Sequence, residues 1–229
     1  MNLLELGVNF FVALFALLDP IGNVPIFAAA TQGATAQQRR LTALYISLFV
    51  TVFLAFFYFS GLGILEFFGI SLAAFRIAGG VLLFLLGLDM SRSDFLHSFT
   101  DPEAGPAEVT ARVYARRRFE RLVVPFAMPL LIGPGAISTV IIQASEAAKA
   151  GTAGVAVGMA AILAVGIALL VCFMLTGFIS RVLGSVGMAI VVRVLGLILC
   201  AMAVQFILIG VFDATHGVIM RSVAQPYGH

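Results

Sequence analysis

Charged side chains are scarce in this sequence. Only 10% of the 229 residues are Asp, Glu, Lys or Arg, whereas a soluble domain carries about 25%. The chain is also 62% hydrophobic, and its mean hydropathy is +1.12. A chain of this composition lacks the polar side chains that a water-exposed surface needs. The sequence therefore predicts an integral membrane protein and excludes a soluble domain.

Alternation of polar and apolar residues is missing as well, and this absence predicts the secondary structure. Because lipid offers the backbone no hydrogen bonds, a chain crosses a bilayer either as helices or as a closed barrel. Strands of a barrel alternate in polarity, but the apolar runs here extend over many residues without alternation. We therefore predict an all-α membrane protein.

Cysteine and histidine are too few and too scattered for several kinds of chemistry. The two cysteines, Cys172 and Cys200, lie in apolar runs without a paired spacing, which argues against a disulfide framework and a dithiol redox enzyme. The three histidines lie outside the apolar runs, which argues against a metal site or an intramembrane hydrolase. Nucleotide-binding motifs are also lacking. We expect no enzyme activity, no metal and no cofactor.

Six apolar stretches are long enough to be transmembrane helices. They are predicted at about 6–30, 42–62, 71–90, 122–145, 152–178 and 186–211. Three of them fall in a first repeat, 1–91, and three in a second repeat, 122–212, with a polar linker at 92–121 and a short external tail at 213–229. The linker is predicted to lie on the membrane surface and to contain a short amphipathic helix at about 107–121. Because three is an odd number, the second repeat enters the bilayer in the opposite orientation, as an inverted-topology repeat.

Arginine is distributed unevenly between the two sides of the predicted bundle. One side carries Lys149 and Arg221, and the other carries Arg39, Arg40, Arg92, Arg112, Arg116, Arg117, Arg118, Arg121 and Arg181. The positive-inside rule therefore places the linker in the cytoplasm and both termini outside. Acidic residues interleave with the basic ones, so no nucleic-acid partner is expected. The expected partners are a small-molecule solute and membrane lipid, and a homodimer is compatible with so small a bundle.

Two of the apolar runs are broken at matching places. Residues 15–27 read FALLDPIGNVPIF, and residues 126–138 read FAMPLLIGPGAIS, so that Gly22 falls on Gly133 at an offset of 111. Proline and glycine inside an apolar run predict discontinuous helices, with breaks at 19–25 and 129–135. Matched breaks in two halves of a chain point to a transport site. Re-entrant hairpins at these places are the alternative.

The second part of each broken helix is predicted to expose free N–H groups near the bilayer centre. Together with the helix dipole, such groups form an anion site. Glycine lets a ligand approach the backbone, and amide or hydroxyl side chains add hydrogen bonds. The candidate residues are Gly22, Asn23, Gly133, Gly135, Ser138 and Thr139. The alternative is that these residues merely kink the helices for packing.

Asp19 is the one carboxylate in the predicted breaks. A charge inside the bilayer costs about 2.5–3.5 kcal/mol, so it needs a partner or a function. Asp19 could bind a substrate ammonium or a coupling proton, or it could form a structural salt bridge with Arg76 or Arg193. Those two arginines could instead contact a substrate carboxylate or extend to the interface. Asp213, at the end of the sixth run, is predicted to be solvated.

Three motifs in this sequence resemble the MarC family of bacterial inner-membrane proteins. They are LDPIGNVP at 18–25, GIS followed by FRIAGG within 69–80, and PFAMPLLIGPGAI at 125–137. The resemblance covers essentially the whole chain. It implies six spans, and some relatives are described as neutral amino-acid transporters.

We therefore expect a secondary transporter of a small polar solute, with a neutral amino acid as the candidate. The solute would bind near the midplane between the half-helix N-termini, and a proton or sodium gradient would drive it. A channel, or a structural membrane protein without solute coupling, is the alternative.

Overall fold

The computed structural model describes residues 2–92, 95, 99–100 and 110–215; most of these residues are helical, and no β-strand occurs among them. The helices are α1 (Leu3–Leu18), α2 (Val24–Ala30), α3 (Ala36–Phe67), α4 (Leu72–Met90), α5 (Ala111–Leu122), α6 (Pro134–Lys149), α7 (Gly151–Met174) and α8 (Thr176–Ala214). Between α5 and α6 runs a distorted, wide-turned segment, Val123–Leu131, called the π segment below. The all-α prediction is confirmed for the part of the chain that the structure describes.

Four helices are long and apolar enough to cross a membrane. They are α3, α4, α7 and the part of α8 from Val186 to Ala214, and α1 is a shorter apolar helix of 16 residues. Large apolar side chains such as Phe59 and Leu197 are exposed on these helices, as lipid-facing side chains are in a bilayer. The structure therefore has multiple membrane-spanning helices.

Several helix ends differ from the predicted ones. The helix α3 starts at Ala36, six residues before the predicted span, because Thr35 caps it: the Thr35 hydroxyl accepts from the Gln38 N–H, and the Gln38 side chain accepts from the Thr35 N–H. The helix α8 starts at Thr176 and turns sharply at Gly184, where φ is +64°. A positive φ favours glycine, so the glycine at position 184 specifies this turn.

Both predicted breaks are present, and proline positions explain their extent. The first break separates α1, which ends at Leu18, from α2, which begins at Val24. The second begins earlier than predicted, because Val124 (φ −123°, ψ 123°) and Met128 (φ −132°, ψ 127°) are extended inside the π segment. Gly133 is extended too, at φ −75° and ψ 164°. Each of these three residues precedes a proline, and proline disfavours a helical conformation in the residue before it.

The antiparallel pair α4 and α8 packs backbone against backbone. A Cβ on Gly87 would lie 2.7 Å from the carbonyl oxygen of Gly196, and one on Gly80 would lie 2.8 Å from that of Ala203. Only glycine permits this approach, as in other close helix pairs in membranes. Elsewhere α1 and α3 pack on α7, α2 packs on α8, and α6 packs on α4.

The core lies where the two broken segments meet α7. The rings of Phe27 in α2 and Phe173 in α7 stack with centroids 4.4 Å apart, and Phe126 of the π segment lies 5.8 Å from Phe173. All three side chains are fully buried. The segments on either side of the cavity described below are therefore held by one aromatic cluster.

The helix α5 is more than a surface linker. It packs against α3, and its Arg118 is only 5% exposed. The Nε of Arg118 donates to the carbonyl of Ala30 at 2.5 Å, and its Nη2 donates to the carbonyl of Phe99. Ala30 ends α2, where carbonyls lack helical partners and a positive charge is favourable. The rest of the predicted linker and the tail lie largely outside the described residues.

Candidate functional site

The first break is built on an unusual backbone conformation at Asp19. Its φ of +41° is the one positive value at a non-glycine residue in the described part of the chain. Aspartate tolerates this left-handed conformation better than most residues do. The Asp19 N–H donates to the Phe15 carbonyl at 3.0 Å, so Asp19 caps the C-terminus of α1. Pro20 follows directly, and the helix cannot continue through it.

The Asp19 carboxylate lies directly over Gly22. Its Oδ1 accepts a hydrogen bond from the Gly22 N–H at 3.1 Å. A Cβ on Gly22 would lie 2.1 Å from Oδ2 of Asp19 and 2.7 Å from Cδ1 of Leu195 in α8. Gly22 is therefore required for space, because any side chain there would displace the carboxylate.

The salt bridge with Arg76 or Arg193, which is the alternative interpretation of Asp19, is not formed. Arg76 pairs with Asp213 instead, with 2.5 Å between Nη1 and Oδ2. The antiparallel packing of α4 on α8 places the start of one helix beside the end of the other, which explains this pairing. Asp213 is also solvated, as predicted, because its side chain is 39% exposed. Arg193 is exposed. Among the described residues, Asp19 has no ion-pair partner.

Asn23 holds the turn together rather than presenting free donors. Its Nδ2 donates to the carbonyls of Leu18 at 2.9 Å and Asp19 at 3.1 Å, which are C-terminal carbonyls of α1. The backbone N–H groups of Asn23 and Val24 donate to carbonyls of the same turn. Because α2 also has only seven residues, its N-terminus is a poor anion site, unlike the one predicted.

A cavity of about 360 Å³ lies beside this turn. Asp19 and Asn23 are the only polar residues among the described residues that line it. The apolar lining comes from α1, α4, the π segment and α8: Ala16, Leu17, Met90, Leu130, Leu195, Ile198, Leu199 and Met202. A carboxylate without a cationic partner thus faces an apolar space of the size that binds small ligands.

The second break offers hydrogen-bond donors instead of a carboxylate. It leads into α6, a helix of 16 residues that begins at Pro134. The backbone N–H groups of Gly135 and Ala136 have no acceptor among the described residues, as expected for the first turn of a helix. Ser138 is only 1% exposed, and its Oγ has no hydrogen-bond partner in the described structure. Thr139 is half-buried next to it.

Close contacts from two helices enclose the start of α6. A Cβ on Gly79 in α4 would lie 2.0 Å from Cβ of Pro134. A Cβ on Gly135 would lie 2.4 Å from Cε2 of Phe206 in α8. Arg76 precedes Gly79 by one helical turn, and its guanidinium pairs with Asp213.

The two breaks contact the same face of α8 at different heights. Gly22 meets Leu195 and Gly135 meets Phe206; these α8 residues are 11 positions apart, which is about 16 Å along a helix. The cavity residues of α8 lie between them. The structure thus gathers Asp19, Gly22 and Asn23 at one end and Gly133, Gly135, Ser138 and Thr139 at the other. The N-termini of α2 and α6, which are expected from the sequence to meet, do not meet in this conformation.

The apolar cavity wall is the part of the site that sequence reasoning missed. Leu199, Met202 and Met90 resemble every other apolar residue of a membrane helix, so no local signal distinguishes them. Their role follows only from the packing of α8 against the first break.

Comparisons with known proteins agree with the fold. Residues 4–215 match the model of the "MarC family integral membrane protein". A UPF0056 membrane protein of Methanocaldococcus jannaschii is 36% identical over 204 residues, which cover 89% of this chain and 95% of that protein. The UPF0056 membrane proteins YhcE of Escherichia coli (33% over 206 residues; 89% and 90% covered) and YvbG of Bacillus subtilis (34% over 206 residues; 87% and 91% covered) are also similar.

No solved structure matches the chain. The match of the family model over nearly the whole length, together with relatives above 30% identity, decides the assignment. The chain is a multi-pass integral membrane protein and belongs to the MarC family.

Proposed function

We propose that this protein is a secondary transporter of a small polar solute with an amino group, for which a neutral amino acid is the candidate. The observation that carries the proposal is the Asp19 carboxylate, which faces the 360 Å³ cavity without an ion-pair partner among the described residues. An ionisable group kept inside a membrane protein at such a cost marks a solute or ion pathway.

The proposal includes six spans in two inverted repeats. The first repeat comprises α1 with α2, then α3 and α4; the second comprises the π segment with α6, then α7 and α8. Two observations support this arrangement: α2 packs on α8 while α6 packs on α4, and Gly22 meets Leu195 while Pro134 meets Gly79. If the first and second halves are exchanged, the contact of α2 with α8 becomes that of α6 with α4, and the contact of Gly22 becomes that of Pro134. Rocking of one half against the other would then alternate access to the cavity.

In this proposal the ammonium of the solute binds Asp19. The carboxylate of an amino acid binds the N–H groups of Gly135 and Ala136, with the hydroxyls of Ser138 and Thr139 beside them. Since the two breaks lie about 16 Å apart along α8, both groups of one small molecule are engaged only in a conformation in which the halves have closed. Arg76 is paired with Asp213, and neither Arg76 nor Arg193 is assigned a direct contact with the solute.

The remaining parts of the proposal follow from the charge distribution and the cavity. The linker is cytoplasmic and both termini are external, in an inner membrane. A proton or sodium gradient drives transport, and the protein is not an enzyme. A homodimer is compatible with the chain. A channel is the second candidate, but a channel needs a polar path, and the cavity lining includes only two polar residues in the described structure.

Uptake into proteoliposomes tests the proposal. Labelled glycine, alanine, serine and leucine are offered with and without proton and sodium gradients, to the wild type and to Asp19→Asn. Asp89→Asn is the matched control, because Asp89 is an exposed carboxylate 3.3 Å from Arg92 at the end of α4. We expect gradient-dependent uptake that falls at least about tenfold in Asp19→Asn and persists in Asp89→Asn.

Two results would count against this proposal. Folded protein that takes up none of the four solutes excludes amino-acid uptake, and flux that is independent of any gradient favours the channel.

A further inference from the structure

We propose that a groove between α3 and α5 binds an anionic phospholipid. An acyl chain of the lipid lies along α3, and arginine side chains of α5 hold its phosphate. The groove encloses about 420 Å³, and none of its lining residues belongs to the cavity beside Asp19. The inference goes beyond the proposed transport function and does not depend on which solute is carried.

The α3 side of the groove is an apolar wall. Tyr45, Leu48, Phe49 and Val52 line it, and their spacing of three, four and seven residues places them on one face of the helix. Leu48 and Val52 are 57% and 59% exposed, so no other helix of the described structure covers this wall. The occupant that suits such a wall is a hydrocarbon chain.

The groove has the depth of one leaflet of a bilayer. The predicted span of α3 begins at about residue 42. Val52 lies ten residues further along, which is about 15 Å in a helix. The hydrocarbon core is about 30 Å thick, so each leaflet contributes about 15 Å of it. The wall therefore extends from the membrane surface to the region where an acyl chain ends.

Phe119 of α5 connects the two sides of the groove. Its ring meets the ring of Phe49 edge-on with centroids 5.6 Å apart, and that of Tyr45 with centroids 6.2 Å apart. Edge-on contacts of this kind are favourable beyond the area that they bury. The shape of the groove is therefore fixed by the packing of α5 on α3.

Charged side chains of α5 lie at the mouth of the groove. Arg116 and Glu120 line it, and they form an ion pair of 3.2 Å in which both side chains are exposed. Because such a pair contributes little free energy, Arg116 can exchange Glu120 for a phosphate, to which a guanidinium donates two parallel hydrogen bonds. Arg112 is exposed one helical turn before Arg116 and lies on the same side of α5.

The charge of α5 favours an anionic lipid over a zwitterionic one. Four positive charges stand against one negative charge on its exposed surface, which leaves an excess of three. Basic residues beside a membrane attract anionic lipids. A protein partner would have to match this charge and also reach half a bilayer deep, whereas a lipid meets both requirements with one molecule. The exposed charged residues of α5 are Arg112, Arg116, Arg117, Arg121 and Glu120.

Native mass spectrometry of the full chain in detergent tests the inference, with phosphatidylglycerol and phosphatidylcholine of identical acyl chains. We expect phosphatidylglycerol to bind at least about fivefold more tightly, as one charge beside a basic surface predicts. Arg116→Gln should weaken phosphatidylglycerol binding about fivefold. The matched control is Arg92→Gln, which removes a similarly exposed, ion-paired arginine outside the groove and should bind the lipid as the wild type does.

A second pair of variants tests the part of the groove that holds the acyl chain. Val52→Trp fills the groove from an exposed position, so the chain should fold normally and lose affinity for both lipids alike. The control Leu62→Trp changes a residue of α3 that is 50% exposed and outside the groove, and it should change neither affinity. Glycerol 3-phosphate, which lacks acyl chains, should not displace phosphatidylglycerol.

Each result decides for or against the lipid site. A preference for phosphatidylglycerol, with binding that Arg116→Gln and Val52→Trp both weaken, supports it. Equal affinity for the two lipids, or wild-type lipid binding by either variant, overturns it. Displacement by glycerol 3-phosphate would assign the groove to a free phosphate compound, and a dimer that Val52→Trp dissociates would assign it to a second copy of the chain; either result also overturns the lipid site.

Discussion

Replacing Gly22 by alanine tests the geometry on which the site depends. The added methyl group would lie 2.1 Å from Oδ2 of Asp19, and carbon atoms in real structures stay beyond about 3.0 Å. The carboxylate must therefore retreat by about 1 Å and loses its hydrogen bond from the residue-22 N–H, which is 3.1 Å long. Leu195 must also move, because its Cδ1 would be 2.7 Å away.

The cost of Gly22→Ala can be approximated from these contacts. Overpacking of a buried site costs about 1–3 kcal/mol, and a hydrogen bond to a charged group contributes about 1.5–3 kcal/mol. The half-buried Asp19 carboxylate recovers part of the second contribution by turning towards other donors. We therefore expect the free energy of unfolding to fall by about 2–3 kcal/mol. Gradient-dependent uptake should fall as well, because the carboxylate has moved.

Equilibrium unfolding in detergent, followed by far-ultraviolet circular dichroism, measures the change in stability. The matched control is Gly63→Ala in α3, where an added methyl group meets no atom within 4 Å. Alanine there should stabilise the helix by up to about 1 kcal/mol, since glycine is the poorer helix former.

If Gly22→Ala proves as stable as Gly63→Ala and takes up solute normally, the carboxylate does not lie over Gly22. The assignment of Asp19 as the ammonium site would then lose its structural basis.

Two further substitution sets test the contacts that hold the broken helices in place. Combining Arg76→Gln with Asp213→Asn in a double-mutant cycle should reveal a coupling of about 1 kcal/mol, modest because the Asp213 side chain is 39% exposed; unfolding energies that add within about 0.3 kcal/mol would contradict the ion pair. Arg118→Gln should reduce the unfolding free energy by about 2–4 kcal/mol, because the Ala30 carbonyl at the end of α2 loses a charged donor. The exposed neighbour Arg117 provides the control, and Arg117→Gln should stay within about 0.5 kcal/mol of the wild type in the same measurement.

The membrane location, the helical class and the two breaks could all be predicted from the sequence, because each follows from local physical chemistry. Charge is too expensive in lipid to be common there, and a proline restricts both its own backbone and that of the preceding residue. The restriction on the residue before a proline also predicts that the second break begins at Val124, which precedes Pro125.

The contacts of the site were decided by the tertiary structure alone. Asp213 and Arg76 are 137 residues apart in the chain, and only the antiparallel packing of α4 on α8 selects this partner for Arg76 over Asp19. In the sequence, Arg118 cannot be distinguished from the other basic residues of α5. Its role as a donor to the Ala30 carbonyl depends on the packing of α5 beside the end of α2.

There is a physical reason why the helices and breaks were predictable from the sequence and the contacts were not. Lipid and a protein interior are about equally apolar, so membrane helices show little of the periodicity that marks a buried face in water. The sequence by itself therefore determined where helices form and where they break. Which side chains face the cavity, and which charges pair, was determined only when the helices packed together.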